Sequence, residues 1–380
     1  MQSRQRNLLA WYVLHHRKLP WRAAPDGRPI DPYAVVVSEL MLQQTRVDTV
    51  IDYFVRWMAK WPTLPDLAQA PLDDVLAQWT GLGYYNRARN LHAAAFAVMS
   101  RHNGVMPSDA ASLQALPGLG PYTVGAIRSI AFAQPAALVD GNVARVLARW
   151  HAVIGDPAST AGKKAIWALA DGEMREPTAQ NQPSNWNQAL MELGATVCLP
   201  KQPKCQQCPV SADCLARQQG LQGQIPPVKI RKESPTVAAC YALLLRVDDG
   251  GVRDSDGGEI LLGQRPATGR WAGLWEPPGM EGSGSHRAMQ QWLRALGVVD
   301  QLEMQPVVHI LTHRRYEATS IQAHCHLQMP PDLTALGYVQ TRWLPVDRAL
   351  SQTGGLSRLA QRLIEQLDCH PVVQMPLLLL

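Results

Sequence analysis

Two carboxylates in contrasting settings are where this sequence could do chemistry. Glu39 lies in a stretch from Asp31 to Gln44 in which Asp31 can cap a helix, Pro32 can begin it, and Val35 and Val36 share the Glu39 face one turn earlier. A carboxyl on an apolar face is pushed up in pKa and keeps a proton near neutral pH. Asp140, in Val139-Asp140-Gly141-Asn142, precedes a second amphipathic helix whose dipole favours the ionised form. One acid kept protonated beside one kept ionised is the pair needed to break a glycosidic bond through an oxocarbenium-like transition state. The same residues also fit a paired core glutamate and a plain N-cap aspartate.

A second constellation is made of thiols. Cys198, Cys205, Cys208 and Cys214 follow the pattern C-x6-C-x2-C-x5-C. In a chain without other signs of secretion, such spacing points to a metal or cluster site rather than to disulfides. Zinc sites usually carry two tight cysteine pairs and only Cys205 and Cys208 form one, so an iron–sulfur centre is favoured over zinc. Lys201 and Lys204 fall inside the loop, where they could meet phosphate. Cys240, Cys325 and Cys369 are read as ordinary thiols.

Two glycine turns complete the set. Leu116-Pro117-Gly118-Leu119-Gly120-Pro121-Tyr122 places a tight turn before a proline suited to the first helical position, and the amides around Gly118 and Gly120 can hold a phosphate at a helix N-terminus. Gly81-Leu82-Gly83-Tyr84-Tyr85 is followed by Arg87 and Arg89, a mixture of aromatic and guanidinium groups suited to entering a duplex. Two ordinary helical corners with core tyrosines would look the same.

The elements that must position these residues divide the chain. Its 380 residues are enough for two or three domains, and 46% apolar with 18% charged composition is that of packed cores. Residues 1–225 hold 21 Lys/Arg against 16 Asp/Glu and residues 226–380 hold 15 against 15, so the net charge of +5 lies in the first part, where a polyanion would bind. Apolar residues at helical spacing, such as Leu67, Val75, Leu76 and Trp79, make residues 1–220 all-helical. A Gly/Pro/polar linker spans 221–234. An α+β domain over 235–368 has strands at 237–247, 260–263 and 320–328 and helices at 286–296 and 356–368, with a tail at 369–380. The longest apolar stretches, such as Leu8 to Leu14, are far shorter than a membrane span of about 20 residues. Arg4 and Arg6 lead into His15 and Arg17 without a small-residue cleavage site. A cytoplasmic monomer is expected, at the nucleoid if the source is bacterial, with no membrane partner.

Leu19-Pro20-Trp21-Arg22, Ser38 to Thr45, Gly81 to Asn90, the turn at 116–126, Val139 to Asn142 and the four-cysteine loop together resemble the adenine DNA glycosylases of the MutY type. These belong to the helix-hairpin-helix superfamily that includes endonuclease III. The resemblance spans nearly the whole chain. It implies a multidomain fold, an all-α helix-hairpin-helix glycosylase followed by an α+β Nudix-like domain. It also implies a [4Fe-4S] cluster on Cys198, Cys205, Cys208 and Cys214, and double-stranded DNA carrying adenine opposite 8-oxoguanine or guanine as partner. By the same resemblance Glu39 protonates the flipped adenine and then handles the attacking water, Asp140 lies beside the sugar, and Tyr122 supports that sugar-side carboxylate. Trp21, Arg22 and Gln188 match adenine-pocket positions, and Gln44 and Tyr85 match positions that wedge beside the mispair. Where some relatives have lysine after Asp-Gly-Asn, Ala144 stands here, which excludes a covalent imine at that position.

The second domain resembles a Nudix fold at Trp271 to Gly279, yet the helix at 287–297 has no carboxylate to hold Mg²⁺. Its implied role is recognition of 8-oxoguanine, with Leu311-Thr312-His313 at the place of a Phe-Ser-His loop. An endonuclease III-like lyase would need a catalytic lysine where Tyr122 stands. A nucleotide pyrophosphatase would need the missing carboxylates. A non-enzymatic iron–sulfur DNA-binding protein would require Glu39 and Asp140 to be structural.

Overall fold

The computed structural model describes residues 2–22, 30–227, 234–246, 258–298, 300–311, 313–351 and 355–369. The chain forms two compact units, one of residues 1–70 and 87–230, the other of residues 71–86 and 231–380. Residues 228–233 of the expected linker and 370–380 of the expected tail lie outside the described residues.

In chain order the first helices are α1 (Gln2–His15), α2 (Pro32–Leu42), α3 (Val47–Lys60), α4 (Leu64–Gln69), α5 (Leu72–Trp79), α6 (Asn86–Arg101) and α7 (Ala110–Gln114). They continue with α8 (Pro121–Ala126), α9 (Gly141–Trp150), α10 (Thr160–Met174), α11 (Pro177–Gln180), α12 (Pro183–Thr196) and α13 (Leu215–Gln218). Of these, α5 lies within 71–86 and belongs to the second unit. No strand occurs among the described residues 2–227, as the spacing of apolar residues predicts.

Three helix starts carry the site. α2 begins as expected, with the Tyr33 amide donating to Asp31 Oδ1 at 2.9 Å and Pro32 in the first turn. Tyr33 and Val35 through Met41 are all buried, which is why this helix is apolar nearly all round. α8 begins at Pro121 after Gly118, which has φ +77. A Cβ on Gly118 would also lie 2.5 Å from Cβ of Asn90 on α6, so both backbone and packing demand glycine. α8 runs on as a π-helical turn, Ile127–Ala131, of the kind that often marks functional segments. Asn187 of α12 donates to Ser129 Oγ and to the Ala136 carbonyl, both at 2.8 Å, and so secures that turn. α9 is capped by Asp140, which accepts from the Val143 amide at 2.7 Å.

Among its described residues the second unit holds a mixed eight-stranded sheet: β1 (Thr236–Arg246), β2 (Glu259–Gln264), β3 (Trp275–Glu276), β4 (Gly279–Glu281), β5 (Gln301–Glu303), β6 (Val307–Ile310), β7 (Arg315–Cys325) and β8 (Gln340–Pro345). β1 pairs in parallel with β7 and antiparallel with β2 and β4. Tyr241, Leu243 and Leu245 of β1 face one apolar cluster, with Leu359, Leu363 and Ile364 of the helix Arg358–Ile364, whereas Cys240, Ala242 and Leu244 face another, with Met289 and Leu293 of α14 (Ser285–Ala295). Burial on both faces explains the unbroken apolar run in β1. The strand expected at 320–328 begins earlier, at Arg315, and ends at Cys325, because its alternation continues through Tyr316 and Ala318 into the first cluster. The helix expected at 356–368 spans Arg358–Ile364, capped by Ser357, and then tightens into a 3-10 turn at Glu365–Cys369. No helix among the described residues is long and apolar enough to cross a membrane.

Candidate active site

Glu39, Tyr122 and Asp140 line one cavity of about 680 Å³ in the first unit. Trp21, Arg22, Gln44 and Gln188 line it too, so the structure brings together seven of the expected residues from α2, α8, the start of α9, α12 and the segment after α1. Trp21 is 7% exposed and meets Phe54 edge-on, a rigid apolar wall. Gln188 is buried and donates to Ser184 Oγ at 3.1 Å.

Glu39 is 5% exposed, and burial raises its pKa to about 7; the Tyr122 hydroxyl and the Arg22 charge pull it down, and the Asp140 charge pushes it up. It is an acid that holds its proton near neutral pH, as expected from its apolar face. Tyr122, expected to brace Asp140, donates its hydroxyl to Glu39 Oε2 instead. The turn of α8 presents that hydroxyl to the carboxyl buried on α2.

Asp140 accepts at 2.7 Å from the Val143 amide and at 3.1 Å from Asn142 Nδ2. The Val143 amide at the start of α9 favours its ionised form, but burial is the larger influence and raises its pKa, with those two donors and Arg145 acting against it. Asn142 is itself held, since Arg145 Nη2 donates to its Oδ1 at 2.9 Å and to the Gly194 carbonyl at 2.8 Å. Nε of the same guanidinium donates to the carbonyl of Cys198 at 2.7 Å. Asp140 and the cysteine loop are thus joined through one helix and one side chain.

Sequence reasoning missed Glu192. Fully buried on α12, it accepts from Arg17 Nε and from Arg22 Nη2, both at 2.7 Å. Burial pushes its pKa up, but the two arginines outweigh it and hold the carboxylate below its ordinary range. Arg22 therefore reaches the cavity with its charge anchored from behind. No local spacing could have announced a pair 170 residues apart.

Tyr85 is not in this cavity: it belongs to the second unit, where its hydroxyl donates to the Leu356 carbonyl at 2.9 Å. Gly118 and Gly120 are exposed at the turn before α8, and Lys201 and Lys204 are exposed in the cysteine loop. His313 is exposed between β6 and β7, and Thr312 lies outside the described residues.

Cys198, Cys205, Cys208 and Cys214 line a separate small cavity with Arg149, whose Nη1 donates to Cys198 Sγ at 3.3 Å. Among the described residues no three His, Cys, Asp or Glu side chains are grouped to hold a single metal ion. The four thiols share the lining of that cavity, and one of them accepts from the Arg149 guanidinium.

Residues 37–170 match the HhH-GPD superfamily of base excision DNA repair proteins, and residues 250–366 match the NUDIX domain. Over 390 aligned residues the chain is 38% identical to the adenine DNA glycosylase of Rattus norvegicus, covering 90% of this chain and 73% of that protein. It is 40% identical to that of Homo sapiens, covering 81% of this chain and 64% of that protein. Among solved structures, a thermostable thymine-DNA glycosylase aligns with a TM-score of 0.50 and 26% identity over 57% of this chain and 98% of its own.

Proposed function

The chain belongs to the adenine DNA glycosylase family, and we propose that the cavity between α2, α8 and α9 removes adenine paired with 8-oxoguanine or guanine by acid-assisted hydrolysis. The observation that carries this reading is the placement of Glu39, protonated near neutral pH, and Asp140 on the walls of one cavity.

An adenine turned out of the duplex enters beside Trp21, with Arg22 and Gln188 on its polar edge. Glu39 gives its proton to the ring, so the base leaves neutral and the electron pair of the C–N bond goes with it. The sugar is left as an oxocarbenium ion, which the Asp140 carboxylate stabilises across the cavity. Glu39, now a carboxylate accepting from Tyr122, takes a proton from the water that adds to the sugar and is restored. Among the described residues no lysine lines the cavity, and Ala144 follows Asn142 and Val143, which supports hydrolysis over the imine route of a lyase.

The four cysteines would hold a [4Fe-4S] cluster, whose contribution is to fix the loop that carries Lys201 and Lys204 and that Arg145 and Arg149 grip from α9. Purified protein should contain about four irons per chain. Stoichiometric zinc without iron in protein prepared anaerobically would remove the cluster from this reading. The sheet unit, whose α14 carries no carboxylate, supports recognition of the opposite base rather than Mg²⁺-dependent pyrophosphate hydrolysis. The test of the whole is release of free adenine from a duplex with adenine opposite 8-oxoguanine, leaving an intact abasic strand. No adenine release, or a strand cut and trapped by borohydride, would refute it.

A further inference from the structure

Arg87 sits in an arginine-rich segment whose composition suggests DNA contact, yet it is only 7% exposed. Its guanidinium turns inward. Nη1 donates to the carbonyls of Leu40 and Met41 at 2.8 Å and of Gln43 at 2.5 Å, and Nη2 donates to Thr45 Oγ1 at 3.2 Å. Leu40 and Met41 are in the last turn of α2, where carbonyls have no partner within the helix and where a cation meets the negative end of the dipole. Immediately afterwards the backbone reverses, with Gln44 at φ +58, a conformation a non-glycine residue keeps only when its surroundings impose it. The turn's own backbone bond is Thr45 N–H to the Leu42 carbonyl at 3.2 Å. Gln43, Gln44 and Thr45 line the catalytic cavity, and Glu39 lies one turn back on the same helix.

We infer that Arg87 is a positioning residue for base excision: by closing the C-terminus of α2 it holds the Gln43–Thr45 turn and, through that helix, Glu39 where the reaction needs them. It touches no substrate itself. The inference rests on the glycosylase reading above.

The experiment uses the full-length protein and a duplex with adenine opposite 8-oxoguanine. Arg87→Met should lower the single-turnover excision rate at saturating protein by roughly ten- to a hundredfold, the scale of a small misplacement of a catalytic group. Arg87→Lys, which still offers an ammonium to the three carbonyls, should recover part of that loss. Affinity for a duplex bearing a non-hydrolysable adenosine analogue should stay within about threefold, with an unchanged salt slope, because no phosphate contact is lost. Hydrogen exchange at the Thr45 amide should rise in Arg87→Met while exchange in α9 and α12 stays at the wild-type level. A wild-type rate in Arg87→Met overturns the inference. So does a salt slope reduced by about one, which would make Arg87 a phosphate contact, or a uniform rise in exchange across the first unit, which would make it a general fold contact. Failure of the wild-type protein to release adenine would refute the glycosylase reading instead, with Thr45 exchange still deciding the clamp.

Discussion

Tyr122 donates its hydroxyl to Oε2 of Glu39, bridging 83 residues of chain to touch the carboxyl proposed as the proton donor. The bond favours the ionised carboxylate and so works against burial, the larger influence, in setting the Glu39 pKa at about 7. With Glu39 as the proposed proton donor, excision should fall as pH rises through about 7. Tyr122→Phe removes a lowering influence, so the alkaline limb of its single-turnover profile should move to higher pH even if its maximum rate is lower. A limb that stays in place or moves down would show that this bond does not tune the acid.

Glu39→Gln should abolish excision while keeping affinity for the mismatched duplex, since the amide has the same shape and no proton to give. It should also stabilise the protein, and only above acid pH. The folded-state pKa is raised from 4.5 to about 7, so the favourable protonated state of the wild type is fully present below about 4.5 and is lost as pH rises through about 7. Denaturant unfolding should show little difference at pH 4.5 and a variant more stable by up to about 3 kcal/mol at pH 8. Equal stability at both pH values would mean that Glu39 is not ionised at a cost in the folded protein.

Local signals and long-range ones were not equally readable in the sequence. Asp31-Pro32, Gly120-Pro121 and Asp140 each announce a helix start, the aspartates because caps act on amides two or three residues away and the Gly-Pro pair because proline suits the first turn, and all three starts are where the residues place them. The partners of Tyr122, Arg22 and Arg87 could not be read, since each reaches across dozens of residues to a group whose burial only the fold creates. Arg87 illustrates the limit: its neighbours suggest a surface, and its hydrogen bonds place it inside. For Asp140 the dipole was visible in the sequence and the larger effect of burial was not.

Asp140→Asn separates chemistry from folding. Asparagine caps a helix about as well as aspartate, so the Val143 amide keeps an acceptor, and because burial raises the Asp140 pKa, losing the charge should leave stability at neutral pH unchanged or somewhat higher. The sugar-side charge is gone, and the single-turnover rate should fall by roughly a hundredfold or more, the cost of removing one group aimed at developing charge. A variant that unfolds at the wild-type denaturant concentration and excises at the wild-type rate would take Asp140 out of the mechanism.

The choice of opposing base is a separate matter from bond cleavage, and we assign it to the turn between β6 and β7. Oxidation of guanine converts its N7 edge from acceptor to donor, so a hydroxyl or imidazole that had to donate can now accept. His313 is exposed at that turn, where an edge of a base could reach it, and Leu311 before it is packed against the apolar cluster that includes Tyr316 and Val307. One correctly paired hydrogen bond is worth roughly 1–3 kcal/mol of discrimination, about tenfold to a few hundredfold. In the full-length protein, His313→Ala and Thr312→Val should therefore shrink the ratio of affinity for adenine opposite 8-oxoguanine to that opposite guanine. The single-turnover rate at saturating protein should be spared, because the cavity of Glu39 and Asp140 is built entirely from residues of the first unit. If both variants keep the wild-type ratio, the turn does not read the opposite base; if they lose rate and keep the ratio, its role lies in the chemistry instead.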